Sequence, residues 1–451
     1  MPDDITKDIF SLRKIQETIS QSAVTGTLIL VDLVNSTEYK TRNGEDAWLS
    51  RLLDFYKTVK RGLDPLVPVK YLGDGILGFY PDKEVKPNDF IDISKKILKE
   101  IEHINSKRRY TPEHEIRVRI VLGYGRVFLF EGKDPQGTVV DKLFRMEKYV
   151  PENCIGMIEE FHVSTKHENA YLIGRYSLKG LAGGRHRLYI LGQPEESSKH
   201  GIENAKRRAA LNDIWDLGVA NVGKICLISG YIPPELGRQT TIQMGDKDAI
   251  INSYHNLAKV GRSGDIEILT SRDVRQHHLR ENVVCIGGPY WNKITLRFMQ
   301  EIKSPYVFDF SDPDDDRTPM ICCLSDKIYE AIWSKTRLCR DYGFFARFCN
   351  PFNSDRHVIL ACGIETQAVA GIVQAFSEEQ VEFLRLHNKI AFGLVGDEDL
   401  PTEFPDFFCL MPFDVEDTGA VHLPSGEDQV ACIVFNWLGG HSGRLQETPK
   451  D

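Results

Sequence analysis

Residues 26–37, GTLILVDLVNST, and residues 67–79, VPVKYLGDGILGF, decide how the first part of this chain folds. Thr27 to Val31 read as a buried strand that delivers Asp32 to its end. Asn35, Ser36 and Thr37 offer caps for a helix opening just behind it. The second stretch reads as a hairpin turning at Gly73-Asp74-Gly75, flanked by Tyr71, Leu72, Ile76 and Leu77. Gly73 and Gly75 leave the backbone unobstructed beside Asp74, and Lys70 stands on the same hairpin. Two carboxylates presented by adjacent strand ends, next to free helix N–H groups, suit a divalent metal and a polyphosphate.

Outward from these stretches the patterns alternate. The chain predicts a strand at 27–31, a helix at 45–61, the hairpin at 67–80, a helix at 89–105 and a strand at 115–122. A helix near 139–149 and a closing strand at 186–191 complete a first α/β module, whose hairpin argues against a purely parallel sheet. The polar stretch GQPEESSKHG after Leu191 marks a boundary. The expected division is therefore 1–195, a linker helix over 196–219, and a second α/β domain over 220–451.

A third segment, DPQGTVVDKLFRMEKYV at 134–150, places Asp141 and Arg145 four residues apart on one helix face. Further on, Lys179-Gly180 precedes the closing strand. Taken together and in order, Asp32 in VDLVNST, KYLGD at 70–74, DPQGTVVDKLFR at 134–145 and Lys179-Gly180 resemble the catalytic domain of class III nucleotidyl cyclases. That resemblance covers about residues 20–192 and implies a ferredoxin-like α/β sandwich.

It also implies roles. Asp32 and Asp74 would bind two divalent ions, Mg²⁺ or Mn²⁺, while the N–H groups from Leu33 to Thr37, including Asn35, Ser36 and Thr37, would receive the terminal phosphates. Arg145 would neutralise charge on the α-phosphoryl group, Lys179 would contact the triphosphate, and Lys70 and Asp134 would face the base. Asp141 stands where the family has a ribose-orienting Asn; it can accept a hydrogen bond but not donate one, and pairing with Arg145 would offset its charge. The family works as a head-to-tail dimer. A homodimer with two composite sites acting on a nucleoside triphosphate follows.

Composition narrows the field. Hydrophobic residues make up 41% of the 451 positions and charged residues 27%, an ordinary globular balance. A net charge of −9 gives no support for nonspecific nucleic-acid binding. No apolar run approaches membrane-spanning length and no signal-peptide pattern opens the chain, so a cytoplasmic protein is expected. The cysteines, irregularly spaced and mostly in apolar runs beyond residue 220, read as buried free thiols rather than disulfides or zinc ligands.

The base follows from hydrogen-bond pattern. Lys70 donates and ionised Asp134 only accepts. Adenine and cytosine each set a ring-nitrogen acceptor beside an amino donor and match the pair, whereas guanine and uracil present the reverse. The residues alone leave ATP or CTP. In the second module KICLISGY from 224, VVCIGGPYWN from 283 and HVILACGIET from 357 read as strand-turn-helix units, with Gly287, Gly288, Pro289, Asn292 and Gly363 as candidate ligand-loop residues. A cyclase domain followed by a soluble α/β sensor for an unknown ligand is similar to the pyrimidine cyclases of bacterial anti-phage signalling, the Pycsar type. That likeness, combined with the donor–acceptor match, puts CTP ahead of ATP and UTP third, and it implies cyclic CMP or cyclic UMP as the signal to a separate effector. The other readings are an adenylate cyclase and an inactive nucleotide-binding sensor.

Overall fold

The computed structural model describes residues 23–63, 69–82, 86–108, 113–130, 134–178, 180–181, 185–192, 196–217, 223–231, 244–310, 319–380, 382–392, 404–416, 418, 420–422 and 431–435. They fall into two compact units, Met1–Ala209 and Ala210–Asp451.

In the first unit β1 (Ala23–Leu33) runs through the middle of the sheet. Thr27 to Val31 are at most 2% exposed. Both faces of the strand are therefore covered, which is why its sequence is apolar at consecutive positions instead of alternating. There follow α1 (Ser36–Asn43), α2 (Glu45–Gly62), the hairpin β2 (Val69–Tyr71) and β3 (Gly75–Pro81), α3 (Asp89–Arg108) and β4 (Val118–Phe130). These strands stand in the order β2-β3-β1-β4, each antiparallel to its neighbour. A strand-helix-strand-strand-helix-strand chain with that order is the ferredoxin-like arrangement. The expected sandwich is what the chain forms.

The sheet continues beyond β4. β5 (Asp134–Gln136) folds back onto the end of β4, and α4 (Thr138–Met146) follows it. β6 (Cys154–Ile158) pairs in parallel with β4, and after α5 (Glu159–Thr165) the antiparallel pair β7 (Ala170–Ser177) and β8 (Arg185–Leu191) closes the edge. α2 buries Leu52, Phe55 and Val59 at helical spacing. Its last residue, Gly62, permits close approach to α3, because a Cβ there would lie 2.4 Å from Ile97 Cγ1. The next helix, α6 (Glu196–Trp215), gives Ile202, Ala205 and Ala209 to the first core and Ala210, Leu211, Ile214 and Trp215 to the second.

The second unit is built on β9 (Ile225–Ser229), β10 (Ile266–Thr270) and β11 (Asn282–Ile286). β12 (Tyr306–Phe308), β13 (Met320–Cys322) and β14 (Ile328–Tyr329) form a small separate sheet. β15 (Ile332–Ser334), β16 (Arg337–Cys349), β17 (His357–Gly363), β18 (Asp406–Val415), β19 (Val421–His422) and β20 (Ala431–Phe435) complete the main one. Its order is β10-β9-β11-β17-β16-β18-β19, parallel from β10 to β17 and antiparallel beyond. The three strand-turn-helix runs become β9 leading to α7 (Met244–Lys259), β11 to α8 (Lys293–Glu301) and β17 to α9 (Thr366–Ala375), with α10 (Phe383–Phe392) after them. Cys226, Cys285, Cys322 and Cys362 are buried free thiols. No helix among the described residues is long and apolar enough to cross a membrane.

Candidate active site

Strand register brings the acidic residues together. Asp32 sits opposite Gly75 in the β1–β3 pairing, beside Asp74 at the turn. The turn is pinned on both sides: Leu33 N–H donates to the Asp74 carbonyl at 2.9 Å, and the Tyr56 hydroxyl donates to the Gly73 carbonyl. Gly73 supplies the left-handed backbone the turn requires, with φ of 81°. The Ser36 hydroxyl donates to Asp74 Oδ2, fixing the carboxylate against the start of α1.

At that helix start Asn35 adopts φ 56° and ψ 31° and makes no side-chain cap. The expected phosphate cradle is narrower than Leu33 to Thr37. Leu33 N–H is spent on Asp74, and Val34 N–H donates to the Arg117 carbonyl at 2.9 Å. The N–H groups of Asn35, Ser36 and Thr37 lie at the first turn, where the helix dipole favours an anion.

Two charged side chains that sequence reasoning missed complete the acidic end. Arg119 of β4 lies opposite Asp32 in the β1–β4 register. Its Nη1 is 4.0 Å from Asp32 Oδ2 and 2.7 Å from Glu147 Oε1. Glu147 sits on the turn that ends α4, and its charge acts on Asp32. Burial first, then the charge of Glu147 and the charge of Asp74, push the Asp32 carboxyl up to about 8, against the lowering effect of Arg119. A crowded, partly desolvated set of hard oxygen donors is the environment a divalent cation relieves, so Asp32 and Asp74 fit such an ion. A charged residue inside the apolar run RVRIVLGY was the one available signal for Arg119.

The base-side residues also meet. Lys70 Nζ donates to both oxygens of Asp134, at 2.9 and 2.8 Å, and Gln136 Nε2 adds a third donor at 3.0 Å. Asp141 and Arg145 share α4, but no ion pair joins them among the described residues; Lys142 between them pairs with Glu160 instead. Arg145 faces the Gly180 turn, where a Cβ would lie 3.5 Å from its Nη2. Lys179, expected on the triphosphate, lies outside the described residues.

Two of the candidate ligand-loop residues of the second unit, Asn292 and Gly363, have architectural roles. Asn292 is fully buried, its Oδ1 accepting from the Ile294 and Thr295 amides and its Nδ2 donating to the Ile228 and Ile286 carbonyls. Every polar position of that side chain is occupied. Gly363 is required by packing, since a Cβ would fall 2.4 Å from the Glu365 carbonyl oxygen. In the same unit Cys349, His357 and Asp406 bring one donor atom each to within 4.8 Å of one another, a group that could hold a metal ion.

No family model matches this chain, and no curated protein does. Among solved structures it is similar to the adenylyl cyclase CyaB from P. aeruginosa, at 18% identity over 39% of this chain and 96% of that one, with a TM-score of 0.32. The guanylate cyclase domain of RhGC from Catenaria anguillulae matches at 18% identity over 38% and 98%, with a TM-score of 0.30. The catalytic core of a rhodopsin-guanylyl cyclase with converted specificity, in complex with ATPαS, matches at 19% over 38% and 98%, also with a TM-score of 0.30. At these identities the likeness concerns fold alone. The pyrimidine reading is corrected: these matches are named as adenylyl and guanylyl cyclases, not as cytidylyl or uridylyl ones. The Pycsar-type likeness, the cyclic CMP and cyclic UMP products and the anti-phage role that came with it are withdrawn.

Proposed function

We propose that the first unit is an adenylate cyclase, converting ATP to 3′,5′-cyclic AMP and pyrophosphate. The observation that carries the choice of base is the Lys70–Asp134 pair. With pyrimidines set aside, a donor beside an obligate acceptor matches the ring nitrogen and amino group of adenine and mismatches guanine. Lys70 and Asp134 are both partly exposed, so the pair is open to a base.

In this reading Asp32 and Asp74 would hold two divalent ions, Mg²⁺ or Mn²⁺, which when bound acidify the ribose 3′-hydroxyl and neutralise phosphate charge. The amides of Asn35, Ser36 and Thr37, with Lys179, take the terminal phosphates. The 3′-oxygen attacks the α-phosphorus, the bond to the β-phosphate oxygen breaks, and Arg145 stabilises charge on the α-phosphoryl oxygens. Asp141 accepts a hydrogen bond from a ribose hydroxyl. Phe130, paired opposite Asp134, and Phe144, beside Arg145, are 66% and 42% exposed. Large apolar side chains next to the base pair and the arginine support a face covered by a second copy, hence a homodimer with composite sites. The second unit is read as regulatory, with a ligand at the carboxyl ends of its parallel strands.

The test is a product assay. Purified protein with Mn²⁺ and each ribonucleoside triphosphate in turn should yield cyclic AMP from ATP as the main product. Predominant cyclic GMP would overturn the base assignment, and no turnover of any triphosphate would overturn the enzymatic one.

A further inference from the structure

The second unit carries a donor set unlike the carboxylates of the first. Cys349 and His357 are directly opposite in the antiparallel β16–β17 register, so both side chains leave the same face of the sheet. Asp406 opens β18 on the other side of β16, and its Oδ1 accepts the Cys349 amide at 3.1 Å. That bond orients the carboxylate toward the end of β16. The hairpin between the first two residues is rigidly held: Asn350 Nδ2 donates to the Leu279 and Glu281 carbonyls, both at 2.8 Å. His357 is fixed at its backbone by donation to Asn282 Oδ1 at 3.1 Å.

We infer that Cys349, His357 and Asp406 form a binding site for a zinc-class divalent ion that ties together the ends of β17, β16 and β18. A thiolate, an imidazole and a carboxylate suit Zn²⁺ or Co²⁺ and disfavour Mg²⁺ and Ca²⁺, which take hard oxygen ligands. Tetrahedral zinc with bonds of about 2.0–2.3 Å sets its ligand atoms roughly 3.3–3.8 Å apart. The donor atoms already lie within 4.8 Å, so side-chain rotation closes the set without backbone movement. Asp406 is 8% exposed, while Cys349 and His357 are half-buried, which leaves one side open for water as fourth ligand. The site lies at the amino end of β17, opposite to the strand ends where α/β sheets take their ligands, so its ion is separate from an effector bound there.

The experiment uses Co²⁺ as the probe on full-length, chelator-treated protein. A cobalt–thiolate charge-transfer band in the near ultraviolet should rise to one equivalent in the wild type. It should rise equally in Asp32→Ala, which lacks a ligand of the first unit's acidic site. Zn²⁺ should displace the band and raise the melting temperature. Cys349→Ser should abolish the band, and His357→Gln should weaken cobalt binding at least tenfold while the circular dichroism of the apo protein stays unchanged. A wild type without the band, or a band that survives Cys349→Ser, overturns the assignment. So does undiminished cobalt affinity in His357→Gln, which keeps the test decisive even where the serine variant folds poorly.

Discussion

Asp32 shows how much one position depends on its neighbours. Its strand would deliver a carboxylate to the sheet end in any case, but Glu147, Asp74 and Arg119 decide that the carboxylate sits in a field asking for a cation. Removing it, or Asp74, should abolish cyclisation by a factor of about 10³ or more while leaving the fold intact, because neither belongs to the apolar core. Wild-type rates in Asp32→Ala or Asp74→Ala, with unchanged circular dichroism, would remove both from the reaction. A second buried acid, Asp246, bears on stability instead. Burial pushes its carboxyl up to about 6 from 3.8, opposed by a hydrogen bond with Thr366. Between those values the folded state keeps a proton that the unfolded chain has released. Stability contributed at this site is therefore greatest below about pH 4 and falls as pH rises to about 6, by an amount on the order of 2–3 kcal/mol. Asp246→Asn retains the Thr366 contact and cannot ionise. Its urea midpoint, relative to wild type, should climb across that window and stay higher at neutral pH; parallel midpoints would refute the assignment.

Elements were legible where burial repeats in the sequence. β1 announced itself as five consecutive apolar or small residues, and the Gly73-Asp74-Gly75 turn needed a glycine that only one backbone conformation uses. α2 and α3 followed from their apolar spacing. What stayed hidden depends on register between distant strands. Arg119 meets Asp32 only because β4 pairs with β1, and Asp406 reaches Cys349 from a strand with no local motif to mark it. Cys349 therefore read as an ordinary free thiol. Asp134 was expected to face a base, but its place in a short strand paired to β4 was not foreseen. Asp341 belongs to the same hidden class. It is fully buried on β16, and its two oxygens accept the amides of Tyr342, Glu365 and Ala368, at 2.8, 3.0 and 2.8 Å, at the start of α9. Helix α9 is thus capped from a strand rather than from its own N-cap, Glu365, which makes no side-chain cap. Asp341→Ala strands buried amides and opens a small void, a loss of about 3 kcal/mol. A denaturation midpoint unchanged in that variant would show the amides satisfied by other means.

For the whole molecule, two consequences separate the units and the subunits. If the site is composite, mixing Asp74→Ala chains with Arg145→Ala chains should restore activity that neither homodimer has, since each heterodimer regains one intact site. Absence of rescue, with heterodimer formation verified, would place a complete site within one chain. The other consequence concerns α6, whose first half belongs to the first core. Ile202, Ala205 and Ala209 are 5%, 7% and 2% exposed there, so a chain ending at Leu191 loses their cover although its closing strand is intact. Burying one isoleucine and two alanines is worth about 4 kcal/mol by area, a large share of the ~5–15 kcal/mol that holds a domain together. A truncation at Ala209 keeps those contacts and should fold with a cooperative melt, whereas one at Leu191 should melt earlier or aggregate. Comparing the two by calorimetry, with cyclic AMP production from each, distinguishes a helix that merely links the units from one that completes the first. Equal melting temperatures would assign α6 to linkage alone.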